Sequence, residues 1–111
     1  MVVMTSKQKV VKLSAIDEDI LTLLVGREMY GLKILAALNR GRPTQLGFGS
    51  LYPALNRLNK KELIAWTWGD DNEQTGGARR KYYRVTDLGE RSLRQVQEYR
   101  IHLASDIETE E

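Results

Sequence analysis

The sequence predicts a mainly α-helical domain with one small β-hairpin, and three features of the chain support that class. Apolar residues recur at three- and four-residue spacing in four segments, which is the period of an amphipathic helix. Two short segments, 64–68 and 81–85, instead have the character of strands on either side of a loop rich in glycine and acidic residues. The chain has 111 residues, which suits a single small domain with a modest core.

The first two helices are predicted from their starts and from their apolar stripes. Ser14 and Asp17 have the spacing of a capping box, so we expect the first helix to begin at Ser14. The second helix is expected to follow Tyr30 and Gly31 and to end at Gly41. The residues expected to face inward are Ile16, Ile20, Leu23 and Leu24 in the first helix, and Ile34, Leu35 and Leu38 in the second.

The third helix is predicted to begin near Ser50, with either Ser50 or Tyr52 as its cap. Pro53 then falls in the first turn, where the N–H that proline lacks would have no partner within the helix. Apolar residues at helical spacing define an inner side, and a polar and basic row defines the outer side. The inner residues are Leu51, Leu55 and Leu58, and the outer residues are Pro53, Asn56, Arg57 and Lys60.

A β-hairpin and a long fourth helix complete the predicted order. Ile64, Trp66 and Trp68 lie on one face of the first strand, and Thr86 is expected to cap the fourth helix. The apolar stripe of that helix is longer than a core of this size can cover, although part of it will pack on the first helix. Burial against a second copy of the chain is therefore expected. The stripe residues assigned to dimerisation are Leu93, Val96, Tyr99, Leu103 and Ile107.

The charged residues are segregated along the chain. The net charge is only +2, yet residues 29–61 and 74–86 contain no acidic residue while carrying many Lys and Arg. This separation produces a positive face on a nearly neutral protein. A helix followed by a basic hairpin suits an element in the major groove of DNA with a wing beside it. The sequence therefore predicts a winged helix-turn-helix fold that binds double-stranded DNA.

The residues that other functions need are missing from the sequence. The chain has no cysteine and a single histidine, His102, so neither a metal site nor a catalytic triad can be assembled around it. The glycines do not have the spacing of a phosphate-binding loop, and no apolar run approaches the length of a membrane span. We therefore expect a cytoplasmic protein that is not an enzyme and holds no cofactor and no metal.

Two sequence blocks together resemble the PadR family of transcriptional regulators, in its short form with a single C-terminal helix. The first block is Leu51-Tyr52-Pro53-Ala54-Leu55, and the second is Tyr82-Tyr83-Arg84-Val85-Thr86. The resemblance covers roughly residues 16–103 and implies a homodimer that reads a pseudo-palindromic operator, most simply as a repressor. Some members respond to phenolic acids or other small aromatic compounds, and some cyanobacterial members act on circadian clock genes; the resemblance does not choose among these.

This interpretation divides the chain into three parts with separate roles. They are a flexible basic arm over 1–13, a DNA-binding domain over 14–86, and a dimerisation helix with an acidic tail over 87–111. Asp70, Asp71 and Glu73 at the wing tip would be repelled by DNA, so we expect the tip either to point away or to be mobile, with contact made by the basic end of the wing. Tyr52 could donate its hydroxyl to a phosphate or could instead pack against the second helix. The candidate DNA-binding residues are Ser50, Tyr52, Pro53, Asn56, Arg57, Lys60, Arg79, Arg80 and Lys81.

Two alternatives to a simple DNA-binding role stay open at this point. Trp66 and Trp68 either cover the core, which we favour, or line an aromatic pocket between the wing, the first helix and the dimerisation helix. In the second case the protein would be a sensor whose DNA binding is gated by a small aromatic effector. The other alternative is a winged-helix module that binds proteins and not DNA.

Overall fold

The computed structural model describes residues 11–70 and 79–109, with the backbone alone from 106 to 109. The helices are α1 (Ala15–Leu24), α2 (Gly31–Asn39), α3 (Phe48–Lys60) and α4 (Asp87–Thr109), and the strands are β1 (Met29–Tyr30), β2 (Ile64–Trp68) and β3 (Lys81–Val85). This is the predicted order of three helices, a wing and a long helix, with one additional short strand.

The predicted capping box at the start of α1 is confirmed. The Ser14 hydroxyl accepts a hydrogen bond from the Asp17 N–H at 3.2 Å, and an Asp17 carboxylate oxygen accepts one from the Ser14 N–H at 3.0 Å. Just before the helix, Val11 and Leu13 pack against the core. These two residues of the predicted arm therefore belong to the body of the domain, and residues 1–10 of the arm lie outside the described residues.

The start of α3 differs from the prediction. The helix begins at Phe48 with Gly47 as its N-cap, and the Gly47 carbonyl accepts the N–H groups of Ser50 and Leu51, both at 3.1 Å. The helix therefore begins two residues before Ser50, neither Ser50 nor Tyr52 caps it, and the prediction that Pro53 lies in the first turn was wrong. A glycine-flanked start has no side-chain cap to mark it in the sequence.

The Asn39 side chain makes two hydrogen bonds across the turn between α2 and α3. The Asn39 side chain accepts a hydrogen bond from the Leu46 N–H at 2.8 Å and donates one to the Leu46 carbonyl at 3.0 Å. Both polar groups of Leu46 are satisfied in this way, which fixes the path of the turn. The Asn39 side chain thereby links the end of α2 to the segment from which α3 starts.

The wing is part of a three-stranded antiparallel sheet with the order β1-β3-β2. In the predicted hairpin, Ile64 pairs with Val85 and Trp68 pairs with Lys81. The third strand, β1, pairs Met29 with Tyr83 and was not predicted, because two residues are too few to show an alternating pattern. The sheet joins the wing to the segment that leads into α2.

The core lies between α1, α2, α3, the sheet and the first turns of α4. Every residue predicted for the inner side of α3 is buried, and the stripes of α1 and α2 are buried or partly buried. Thr86 caps α4 as predicted, because its hydroxyl accepts a hydrogen bond from the Gly89 N–H at 3.0 Å. Gly89 itself is required by packing, since a Cβ there would overlap the Leu63 carbonyl oxygen. The fully buried large side chains are Ile20, Leu21, Leu24, Ile34, Leu51, Leu55, Leu58, Leu63 and Ile64.

Candidate DNA-binding surface

The outer side of α3 presents most of the residues predicted to contact DNA. Opposite the buried leucines, the helix carries an exposed row that includes polar and basic side chains able to meet base edges or phosphates. This row follows directly from the amphipathic pattern, because the residues between the buried positions of a helix must face outward. The exposed members of the predicted set on α3 are Ser50, Tyr52, Pro53, Asn56 and Lys60.

Tyr52 lies at one edge of this outer side and is 42% exposed, with contacts on two sides of its ring. Its ring stacks on Phe48, with centroids 5.3 Å apart and an interplanar angle of 18°. On its other side the hydroxyl lies over Gly31, where a Cβ would stand 3.0 Å from the ring carbon Cζ. Phe48, which the sequence reasoning did not single out, is 42% exposed. Phe48 was missed because α3 was predicted to begin near Ser50, two residues after its actual start.

The basic residues of the wing lie over aromatic rings. Arg80 is stacked over Tyr30, with the guanidinium carbon 4.0 Å from the ring centroid. Lys81 Nζ lies 4.3 Å from the Trp66 ring, and Arg79 lies 5.3 Å from the Trp68 ring. Cation–π contacts of this kind restrict long side chains without neutralising their charge. The wing therefore presents its positive charges from defined positions.

The two tryptophans differ in environment. Trp66 is partly buried and packs against the core, as we expected for both residues, but Trp68 is 49% exposed. Trp68 borders a cavity of about 460 Å³ that lies between the wing, the start of α2 and the outer side of α3. This is not the predicted position of an aromatic pocket, since neither α1 nor α4 contributes to its lining. The prediction that Trp68 covers the core was wrong because the end of β2 extends beyond the edge of the core.

The cavity brings the two predicted groups of DNA-binding residues together. From α3 it is lined by Tyr52 and Asn56, and from the wing by Arg79, Arg80 and Lys81. Tyr83 also lines it, and burial, with a smaller effect of Tyr52, raises the pKa of the Tyr83 hydroxyl above its ordinary value. A tyrosine is neutral at physiological pH even without this shift, so the charge of the cavity walls comes from the three basic residues of the wing.

Arg57 is placed differently from the other predicted contacts. Its guanidinium Nη2 donates to a carboxylate oxygen of Asp17 at 2.5 Å, and the Asp17 side chain is only 3% exposed. The Arg57 side chain is 40% exposed, so it lies at the edge of the outer side of α3 and not in the middle of it. The sequence could not reveal this contact, because the two residues are 40 positions apart.

The apolar stripe of α4 is divided between the core and the surface. Leu93 is buried in the core of its own chain, so its predicted place in a dimer contact is not supported, and Val96 is partly buried. Further along, Tyr99 is 60% exposed and Leu103 is 46% exposed. Ile107 lies in the last part of α4, where the side chains are outside the described residues. The exposed part of the stripe is therefore confined to the second half of the helix.

The described residues offer neither a metal site nor a membrane-spanning helix. His102 is exposed on α4, and within residues 11–70 and 79–109 no group of three His, Cys, Asp or Glu side chains could hold a metal ion. Over the same ranges, no helix combines the length and the apolar character needed to cross a membrane. At the wing tip, Asp70 is exposed, whereas Asp71 and Glu73, which we predicted to point away from DNA, lie outside the described residues.

The helix order, the sheet and the long C-terminal helix define a winged helix-turn-helix protein. Residues 20–95 match the model of the transcriptional regulator PadR-like family, and the chain belongs to that family. It is therefore a transcriptional regulator and not an enzyme, and the resemblance noted from two sequence blocks is confirmed.

Solved structures of PadR proteins have the same fold. A PadR-like transcription factor from Bacteroides fragilis superimposes with a TM-score of 0.75 at 27% identity, covering 97% of this chain and 96% of the other. A PadR family regulator from Clostridium difficile is 33% identical, with a TM-score of 0.67 over 86% of this chain and 98% of its own. Bacillus subtilis PadR, solved in complex with operator DNA, is 23% identical, with a TM-score of 0.67 over 78% of this chain and 48% of its own.

Proposed function

We propose that this PadR-family regulator binds double-stranded DNA as a homodimer and represses transcription by occupying a pseudo-palindromic operator. The observation that carries the proposal is the cavity in which Tyr52 and Asn56 of α3 meet the basic residues of the wing. A helix that reads bases and a wing that meets phosphates have to approach the same stretch of duplex. The fold shared with a PadR protein solved on operator DNA supports the same assignment.

The contacts divide by chemistry. An amide such as that of Asn56 can pair with adenine in the major groove, and Lys60 suits a guanine or a phosphate. Hydroxyl groups near the start of a helix are suited to the phosphate backbone. Arg57 is left out because its guanidinium is held by Asp17. The proposed DNA-binding set is Ser50, Tyr52, Pro53, Asn56, Lys60, Arg79, Arg80 and Lys81.

Exposed apolar residues in the second half of α4 support the proposal of a homodimer. Tyr99 and Leu103 are exposed apolar residues that continue the face along which α4 packs on its own domain. A groove of about 430 Å³ between α1 and α4 adds exposed apolar surface at Val25, on the side of the domain that α4 flanks. A second copy would cover such a surface and would also present two α3 helices at once. Two α3 helices separated by about one turn of the DNA duplex, roughly 34–36 Å, can read the two halves of a palindrome.

The test is selection of duplex DNA from a random pool by the purified protein, followed by footprinting upstream of its own and neighbouring genes. The proposal expects a palindromic sequence and a steep fall of affinity with salt, since each phosphate contact contributes a slope of about −0.9 on duplex DNA. Recovery of no preferred sequence and no retention on heparin would instead support a protein-binding module. The genes beside the protected site would assign the pathway, whether circadian or effector-responsive, and reporter output would separate repression from activation.

A second candidate is an effector-gated regulator, and the exposed Trp68 favours it. The cavity that Trp68 borders combines aromatic and cationic walls, which suit a flat anionic compound. Because the same cavity belongs to the proposed DNA surface, such a compound would compete with DNA directly. Titration of phenolic acids with tryptophan fluorescence as the readout tests this, and displacement of bound DNA at the same concentrations is the expected result.

A further inference from the structure

One ion pair between two helices of this domain involves a buried carboxylate at the start of α1. Asp17 is 2% exposed, and its two oxygens are occupied separately. One accepts the Ser14 N–H at 3.0 Å, and the other accepts Arg57 Nη2 at 2.5 Å. A buried ionised carboxylate is strongly disfavoured unless it is paired and hydrogen-bonded. Arg57 therefore supplies the cation that the buried end of α1 needs.

This contact also sets the orientation of Arg57. The guanidinium is drawn from α3 toward the start of α1, although Arg57 follows Pro53 by four residues and so leaves the helix on nearly the same side. To reach a base edge, the Arg57 guanidinium would have to break its ion pair with Asp17. The buried Asp17 carboxylate would then keep only its hydrogen bond to the Ser14 N–H. Breaking a buried pair by removing one partner costs much more than the pair itself contributes.

We propose that Arg57 is a positioning residue of the DNA-binding surface and not a base-reading one. Through Asp17 it ties the middle of α3 to the capped start of α1, while Asn39 holds the turn that leads into α3. Together these contacts set the angle at which the row from Ser50 to Lys60 faces the duplex. The proposal rests on the DNA-binding function inferred above, because positioning has meaning only if α3 enters a groove.

The two roles differ in what happens when Asp17 is changed. If Arg57 positions α3 through Asp17, then Asp17→Asn and Arg57→Gln remove the same interaction. Each should weaken binding to the selected palindrome by about tenfold or more, and the double variant should be no weaker than the worse single variant. If Arg57 reads a base, Arg57→Gln lowers affinity while Asp17→Asn leaves it unchanged or raises it. That second pattern would overturn the proposal.

Three further readouts separate positioning from a base contact and from simple loss of the fold. Random-pool selection with Arg57→Gln should return the wild-type sequence with uniformly lower affinity, whereas relaxed preference at one base pair would indicate a lost base contact. The salt slope should be unchanged, in contrast to the control Lys60→Gln, which removes a charge from the exposed row. Arg57→Lys keeps a cation beside Asp17 and should recover most of the affinity; a bidentate base contact would not be recovered in this way.

The variants are compared at a temperature where circular dichroism shows each of them to be folded, with the active fraction determined by titration. Arg57→Lys guards against a failure to fold, because it retains the charge pair that the buried carboxylate requires. Wild-type protein that selects no sequence from the pool would refute the DNA-binding function itself. A wild-type protein that binds its palindrome, combined with an additive Asp17→Asn/Arg57→Gln double variant, would refute only the positioning role.

Discussion

The close approach of Tyr52 to Gly31 leads to a specific prediction about DNA affinity. A Cβ at residue 31 would overlap the Tyr52 hydroxyl and stand 3.0 Å from its Cζ, which is about 0.5–1 Å inside an ordinary carbon–carbon contact. In Gly31→Ala the tyrosine ring therefore has to move. It is free to do so because Tyr52 is 42% exposed, so the movement changes the DNA-binding surface more than the core.

The expected magnitude follows from what the movement breaks. A hydrogen bond to a charged group such as a phosphate contributes about 1.5–3 kcal/mol, and displacement of the hydroxyl should remove part of it, about 1–2 kcal/mol. That is roughly a 5- to 30-fold loss of affinity for the selected duplex. The fold should change little, because the nearest atoms that a Cβ at residue 31 would meet belong to the exposed Tyr52 side chain.

A double-mutant cycle with Tyr52→Phe tests the reasoning by fluorescence anisotropy at one fixed salt concentration. Without the hydroxyl there is no phosphate contact to lose, so Gly31→Ala should have little further effect in the Tyr52→Phe background. Urea unfolding of each variant provides the control for stability. Gly31→Ala with wild-type affinity, or with the same loss in both backgrounds, would show that the tyrosine hydroxyl does not contact DNA.

Three other predictions follow from the wing, from α4 and from the buried tyrosine. Arg79→Ala combined with Arg80→Ala should lower affinity for all sequences and reduce the salt slope by about 0.9 per lost phosphate contact; an unchanged slope would remove the wing from the interface. Leu103→Asp should convert a dimer to a 12.7 kDa monomer in sedimentation at micromolar concentration, whereas the control Ile101→Asp, on the other side of α4, should not. The folded state raises the pKa of Tyr83, so above about pH 10 the unfolded chain loses a proton that the folded chain keeps, and stability falls as the pH rises. Tyr83→Phe should remove that part of the alkaline loss in urea unfolding; parallel pH dependence of the two proteins would contradict it.

Local patterns in the sequence were sufficient to predict most of the elements. The capping box at Ser14, the cap at Thr86 and the buried side of α3 depend on residues within a few positions of one another. Hydrogen bonds and helical periodicity over such distances are properties of the local chain. The basic row and the basic wing were visible for the same reason, and two sequence blocks were enough to recognise the family.

What the sequence could not decide was where the packed chain places residues that are far apart along it. The pair between Asp17 and Arg57, the short strand that joins Met29 to Tyr83 and the approach of Tyr52 to Gly31 all depend on contacts across the domain. Whether an apolar side chain of α4 is buried also depends on distant residues, since Leu93 packs in the core of its own chain while Leu103 is exposed. The periodicity of a helix or strand predicts which face a residue occupies, but only the tertiary structure decides what that face packs against.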